Sequence, residues 1–379
     1  MTYCIFAAQF LPHMGGVERY VYNLSKKLIE NGERVIVVTS HMDENLPYQE
    51  NMEGIVVYRI PSIPAINERF PIPKNWKKVM NRLDKEKIDF IVVNARFYLL
   101  SILGLRYGKK RKIPQIVIEH GSGHLSVHHS VLDSIGGFYE HFHTAIVKRY
   151  CKDFYGVSEA CNEWLDHFRI KGKGTIYNSI SLEELEESKV LSPHYRKELK
   201  IDASSKVVIF TGRLLKEKGI LQLVESIIQL KKDGYDVHLL IAGTGDLEEE
   251  IRKIKNENIH LLGYLSHEEV LCMLREGNIY CLPSDSEGFS SGVLEASACD
   301  CYIITTRRGG SKELISSPEY GMILEDNKQE SVYNGLRYIL DHPEEEKSAI
   351  GKAHKRVLNE FTWNITTRKL MNIAESMRK

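Results

Sequence analysis

Two carboxylates, Glu287 and Glu295, stand eight residues apart in LPSDSEGFSSGVLEAS (residues 282–297), separated by a run rich in glycine and serine. Ser290, Ser291 and Gly292 open the helix-forming part of this stretch, and a helix N-terminus offers backbone amides and partial positive charge to an anion. Glu295, expected in the first turn of that helix, could accept hydrogen bonds from a ribose diol. Glu287, placed before the turn, could accept them from sugar hydroxyls. Such a pair would bracket a nucleotide-sugar, one carboxylate at each end of its diphosphate. Asp285-x-Glu287 also reads as a cation-binding acidic pair, although cation sites usually recruit more oxygen ligands than this segment supplies.

Three other segments carry chemistry. In FTGRLLKEKG (210–219), Arg213 and Lys218 follow an apolar run and could hold a phosphorylated ligand, or be ordinary solvated loop cations. In LPHMGGVE (11–18), Gly15 and Gly16 precede a helical pattern, where a backbone without side chains can approach a ligand closely. A tight turn needing glycines is the plainer reading. The spacing departs from G-x-G-x-x-G, which disfavours hydride transfer. IEHGSGHLSVHHS (118–130) spaces His120, His124 and His128 by four, which on one helix would suggest zinc, but Gly121 and Gly123 argue against that helix. His120, directly after the run QIVIE, is the one expected to point into a cleft, with a structural histidine as the alternative.

These segments need elements to position them. Apolar runs alternate with helical patterns: YCIFAAQ, RVIVVTS, GIVVYRI, DFIVVNA, QIVIEH, DFYGVS and GTIYNSI to about Asn178, then KVVIFTG, VHLLIAG, IHLLGY, IYCLP and YIITT. Val17, Val21, Leu24 and Leu28 share a helical face, and Asn31-Gly32 predicts its stop. This alternation predicts an α/β chain of two doubly wound, Rossmann-like domains, 1–180 and 190–361, with a hinge in the acidic segment about 178–190. The length of 379 residues suits two domains. Residues 1–180 hold 24 Lys and Arg against 18 Asp and Glu, and the remainder 27 against 33, so the halves differ by sign: +6 and −6. Seven scattered cysteines without a CxxC pair fit buried thiols in a reducing compartment. No apolar run reaches the ~18 residues that span a bilayer, and the expectation is a cytoplasmic protein.

Taken in order, GGVE, EHG (119–121), TIYNSI, GRLLKEKG, IAGTGD (241–246), EGFSSGVLE, RRGGSKELI (307–315) and FTW (361–363) resemble the retaining glycosyltransferases of family GT4, with EGFSSGVLE matching their E-x7-E signature. The resemblance covers almost the whole chain. It implies the GT-B fold, two domains facing across a cleft, the N-terminal one on the acceptor side and completed by the final helix (about 362–379), the C-terminal one holding the nucleotide-sugar. It also implies that Arg213 and Lys218 hold the diphosphate, Glu287 the donor sugar and Glu295 the ribose. Gly15 and Gly16 would approach the phosphates, Gly288, Phe289, Ser290 and Ser291 would contact the donor, and His120 would stand beside the transferred sugar. The catalytic set expected is therefore His120, Arg213, Lys218 and Glu287, with no metal and no cofactor. At ACDCYIITT (298–306) the chain departs from the family pattern: Asp300 replaces a glycine and Tyr302 a proline. Asp tolerates a left-handed backbone, so the turn is expected to survive.

The expected reaction is retaining, metal-independent transfer of a sugar from a nucleoside diphosphate to an acceptor hydroxyl, the anomeric carbon being attacked from the leaving-group face. A GT-B nucleotide-sugar epimerase and a non-catalytic partner protein are the competing readings; nucleic acid is not an expected partner. The positive excess concentrates in PKNWKKVMNRL (73–83) and LRYGKKRK (105–112). Trp76, Val79, Met80 and Leu83 at helical spacing among Lys74, Lys77, Lys78 and Arg82 suit an anionic membrane surface and a lipid-linked or polysaccharide acceptor, with Lys109 and Lys110 adding charge. The alternative is an ordinary helix packed by those apolar residues.

Overall fold

A computed structural model describes residues 1–65, 70–124 and 130–378. The chain divides into two compact units, one made of Met1–Asn178 and Trp363–Lys379, the other of Ser179–Thr362.

The first unit is built on β1 (Thr2–Phe6), β2 (Arg34–His41), β3 (Gln49–Met52), β4 (Ile55–Ile63), β5 (Ile72–Pro73), β6 (Phe90–Asn94), β7 (Gln115–Glu119) and β8 (Phe154–Gly156). Their order is β3-β4-β2-β1-β6-β7-β8, with β5 on β4; only the pairs involving β3 and β5 are antiparallel. β1, β6 and β7 are buried at every position, as strands covered by helices on both faces must be. The helix Gly16–Glu30 buries Val21, Leu24 and Leu28, and ends at Asn31 before Gly32 at φ +81°. The last helix, Trp363–Arg378, belongs to this unit and sets Trp363 edge-on against Tyr20, ring centroids 5.1 Å apart.

The second unit holds β9 (Lys206–Thr211), β10 (Val237–Ala242), β11 (Ile259–Gly263), β12 (Ile279–Leu282), β13 (Tyr302–Thr306) and β14 (Met322–Leu324), all parallel in the order β11-β10-β9-β12-β13-β14. Both sheets reverse direction beside their first strand, at β1/β6 and at β9/β12. In doubly wound sheets, ligands bind beyond the carboxyl ends of the strands at such a reversal.

Three expectations are corrected. The run GTIYNSI is not a strand; only Thr175 and Ile180 make single bridges, to Gly156 and Thr362. The acidic segment 179–190 is not a free hinge. It forms the helix Leu182–Glu187, capped by Ser181 and followed by a 3-10 turn, and it belongs to the second unit. Trp76, Val79, Met80 and Leu83 face the core of the first unit, so the plainer reading of that helix holds and those residues are spent on packing. The departure at Asp300 is accommodated as expected: its backbone sits at φ +63° and its carboxylate meets His354 Nδ1 at 2.9 Å.

Candidate active site

In the second unit, the loops after β9 and β12 emerge side by side at the reversal, because the two strands are neighbours. Arg213 follows β9, is exposed, and its guanidinium takes no hydrogen bond or ion pair among the described residues. Lys218 ends a short 3-10 turn. Its Nζ reaches Glu287 Oε1 at 2.7 Å and the Ser286 carbonyl at 3.2 Å. Two residues that the motifs assign to different parts of a ligand are thus paired to each other.

The segment 287–290 is held from beneath. Gly310 N donates to the Gly288 carbonyl at 2.9 Å, and a Cβ on Gly309 or Gly310 would collide with the Gly288 carbonyl or the Phe289 ring. Phe289 is buried and packs edge-on against Phe361 at 5.1 Å. Its expected donor contact is therefore corrected: the side chain faces inward, leaving only its backbone to meet a ligand. Ser290 caps the helix Ser291–Ala298, its hydroxyl accepting from Val293 N at 3.4 Å.

Glu295 lies one turn farther along than expected, in the second turn, and is 9% exposed. His267, which no motif singled out, sits between two carboxylates, Nε2 3.2 Å from Glu295 Oε1 and Nδ1 3.4 Å from Glu184 Oε2. The acidic pair Asp285-x-Glu287 is split. Asp285 accepts from Asn327 Nδ2 at 2.6 Å while Glu287 turns to Lys218, and neither joins a convergent group of metal-binding side chains among the described residues.

In the first unit, Gly15 caps the helix Gly16–Glu30 in extended conformation, and a Cβ at Gly16 would meet open space. His120 follows β7, half-buried, with Nε2 2.9 Å from Asn94 Oδ1 at the end of β6 and its ring edge-on to Tyr20 at 4.8 Å. Burial pushes its pKa down to about 3. With Nε2–H donating to Asn94, the neutral ring keeps Nδ1 as an acceptor. Beneath it runs an ionic network that sequence reading missed. Glu119 Oε1 accepts from the amides of His120 and Gly121, both at 3.1 Å, and Oε2 from Arg96 at 2.6 Å. Arg96 also donates to Glu140 at 2.9 Å, and all three side chains are fully buried. Ala95, beside Arg96, is held at φ +60°, a conformation that non-glycine residues adopt only where surroundings enforce it. His124 is not aligned with His120; it lies against His141, Trp164 and His167. His128 lies outside the described residues.

The two sheets and their reversal loops define a GT-B glycosyltransferase. Residues 14–184 match the family model described as Glycosyltransferase Family 4, and residues 192–356 that described as Glycosyl transferases group 1. The chain belongs to the GT4-type glycosyltransferases. It is 24% identical over 395 residues to an uncharacterised glycosyltransferase of Methanocaldococcus jannaschii, covering 98% of each chain. With a phosphatidylinositol N-acetylglucosaminyltransferase of Homo sapiens it shares 25% identity over 387 residues, covering 99% of this chain and 75% of the other. Its fold matches that of Anabaena HepE, solved with UDP-glucose, with a TM-score of 0.75, 15% identity and coverage of 99% and 100%.

Proposed function

We propose that this glycosyltransferase moves a sugar from a nucleoside diphosphate, uridine diphosphate in the first instance, to a hydroxyl of a lipid-linked or growing saccharide, with retention and without a metal. The observation that carries this reading is the group at the β9/β12 reversal: an exposed arginine, a lysine–glutamate pair and a helix N-terminus, gathered where doubly wound sheets bind ligands. The bond between the anomeric carbon and the diphosphate oxygen breaks, and negative charge grows on the departing phosphate. Arg213 and Lys218 are preorganised cations for that charge. The acceptor oxygen bonds to the same face of the anomeric carbon, and its proton passes to a phosphate oxygen of the leaving group. Glu287 holds the sugar hydroxyls, Glu295 the ribose, Gly16 stands by the phosphates, and neutral His120 accepts from a sugar hydroxyl at Nδ1.

The solved relative with UDP-glucose supports uridine as the base, and the phosphatidylinositol-acting relative supports a lipid acceptor. A cavity of about 240 Å³ lined by Lys77, Arg106, Lys110 and Arg111 with Trp76 and Tyr107 gives the first unit a basic recess suited to an acceptor's phosphate. With Val79, Met80 and Leu83 packed inward, attraction to a membrane rests on charge alone. No helix among the described residues is long and apolar enough to cross a membrane.

The test is a panel of nucleotide-sugars screened for thermal stabilisation, then transfer with the stabilising donor in EDTA and assignment of the product's anomeric configuration by NMR. Inversion, or loss of activity in EDTA restored by Mg²⁺ or Mn²⁺, overturns the mechanism. An epimerised nucleotide-sugar released without acceptor points to the epimerase instead.

A further inference from the structure

His124, His141 and His167 come from three places in the first unit: the segment after β7, the helix Ser130–Val147 and the helix Glu159–His167. One ring nitrogen of each lies within 4.8 Å of those of the other two. The Nε2 atoms of His141 and His167 are 3.1 Å apart. Two nitrogens bound to one tetrahedral zinc at ~2.0–2.1 Å stand about 3.3–3.4 Å from each other, so this pair is already near chelating distance. All three side chains are exposed, which leaves the fourth position open to water.

The surroundings favour a metal over three loose imidazoles. His167 stacks on Trp164 with rings 4.8 Å apart and 6° from parallel, and Phe168 meets the rings of His124, His141 and His167 at 4.8–6.0 Å. These aromatic walls restrict ring rotation, so little order has to be imposed when an ion binds. His124 Nδ1 lies 3.5 Å from Glu140 Oε2, and a carboxylate beside a ligating histidine is the usual device for orienting the ring and raising its basicity. Partial burial, then the neighbouring imidazoles His124 and His141, hold His167 below the ordinary histidine range and so in the ligating form. Arg96, the nearby cation, is neutralised by Glu119 and Glu140.

We infer that His124, His141 and His167 form a three-histidine site for a divalent transition metal, zinc foremost, with water as fourth ligand. Imidazole ligands suit zinc, cobalt and nickel and do not suit magnesium or calcium. The site is separate from the transfer chemistry. It ties the chain just beyond His120 to two helices, as a clip on the segment 120–124.

The test uses full-length protein freed of any histidine tag and stripped of metal. Co²⁺ is titrated while the visible d–d band of four-coordinate cobalt is followed, and Zn²⁺ is titrated in competition with a chromophoric chelator. The expected result is one equivalent per chain with a tetrahedral cobalt spectrum. H124N, H141N and H167N should each weaken binding on the order of 100-fold or more, since losing an outer partner alone costs about 10–100-fold. Zinc at 100 times its Kd should raise the Tm of the parent by about 5 °C or more and leave that of the double variant H141N/H167N unmoved. These residues are exposed, so each variant's metal-free Tm should match the parent's. Absence of stoichiometric binding, an octahedral cobalt spectrum, or zinc affinity retained in H141N/H167N overturns the site and leaves a hydrogen-bonded histidine pair only.

Discussion

Lys218 Nζ stands 2.7 Å from Glu287 Oε1, both side chains about 15% exposed, so the lysine proposed to meet the leaving diphosphate is held by the carboxylate proposed to meet the sugar. A donor entering the site would trade this pair for two others. Glu287→Gln keeps the size and removes the competing charge. It should lower kcat by about 100-fold, the scale of one lost electrostatic contact in a site, while nucleoside diphosphate binds as tightly as before or tighter. Isothermal titration and steady-state kinetics separate the two effects; weaker diphosphate binding in the variant would remove the pair from this role.

The Arg213 guanidinium bonds to nothing among the described residues, so it has no part in holding the fold. Arg213→Ala should leave the Tm within about 1 °C and reduce kcat by about 100-fold, because charge on the leaving phosphate grows toward the transition state. A drop in Tm with kcat preserved would reverse the assignment.

At Gly16 an added methyl meets only open space. Gly16→Ala should therefore be neutral or stabilising by up to about 1 kcal/mol in the free protein. Donor affinity should fall by about 10-fold if phosphates approach this backbone as proposed. Comparing Tm with and without the stabilising nucleotide-sugar measures both.

Glu295 and His267 form the second pairing of the site. Glu295→Ala should cost about 10-fold in affinity for a nucleoside diphosphate, the worth of a charged hydrogen bond, and cost little for its 2′,3′-dideoxy analogue. Equal losses for both ligands would place Glu295 away from the ribose.

Acid should destabilise the protein through its buried histidines. Burial holds His120 near 3, and His143 and His260 near 4, against an ordinary value of 6.5. A depressed folded-state pKa means the fold favours the neutral ring. The stability is whole above about pH 6.5 and drains away as pH falls toward 4 and then 3. Tm should be level between pH 7 and 8 and decline below 6.5, and His260→Asn should flatten part of that decline. A constant Tm down to pH 4 would contradict the neutral burial of these rings.

Strands β1, β2, β6, β7 and β9–β13 were legible because buried parallel strands are unbroken apolar runs closed by turn residues. The polar, antiparallel β3, of sequence QENM, carries no such signal. GTIYNSI carries it without forming a strand. The site residues were legible as types at the ends of runs, and their pairings were not. Lys218–Glu287, His267–Glu295 and Arg96–Glu119–Glu140 join residues 23 to 69 apart in sequence. Which loops become neighbours depends on strand order, and nothing local to either loop records it. The same applies to His124: its spacing from His120 and His128 suggested a partnership that the fold replaces with His141 and His167.

The return of Trp363–Arg378 to the first unit orders events during synthesis. The second unit, Ser179–Thr362, is contiguous, and its two ends are stitched together where Ile180 N donates to the Phe361 carbonyl at 2.9 Å. It can close while the ribosome is still adding residues. The first unit, although begun first, stays open until the helix that seats Trp363 on Tyr20 has left the ribosome. A domain that emerges early and finishes late keeps its unfinished face exposed for the whole elongation of the other, at ≈ 5–20 residues per second. A stalled or clipped chain lacking only that helix should therefore retain a sound second unit and show its damage in the half of the sequence that was made first.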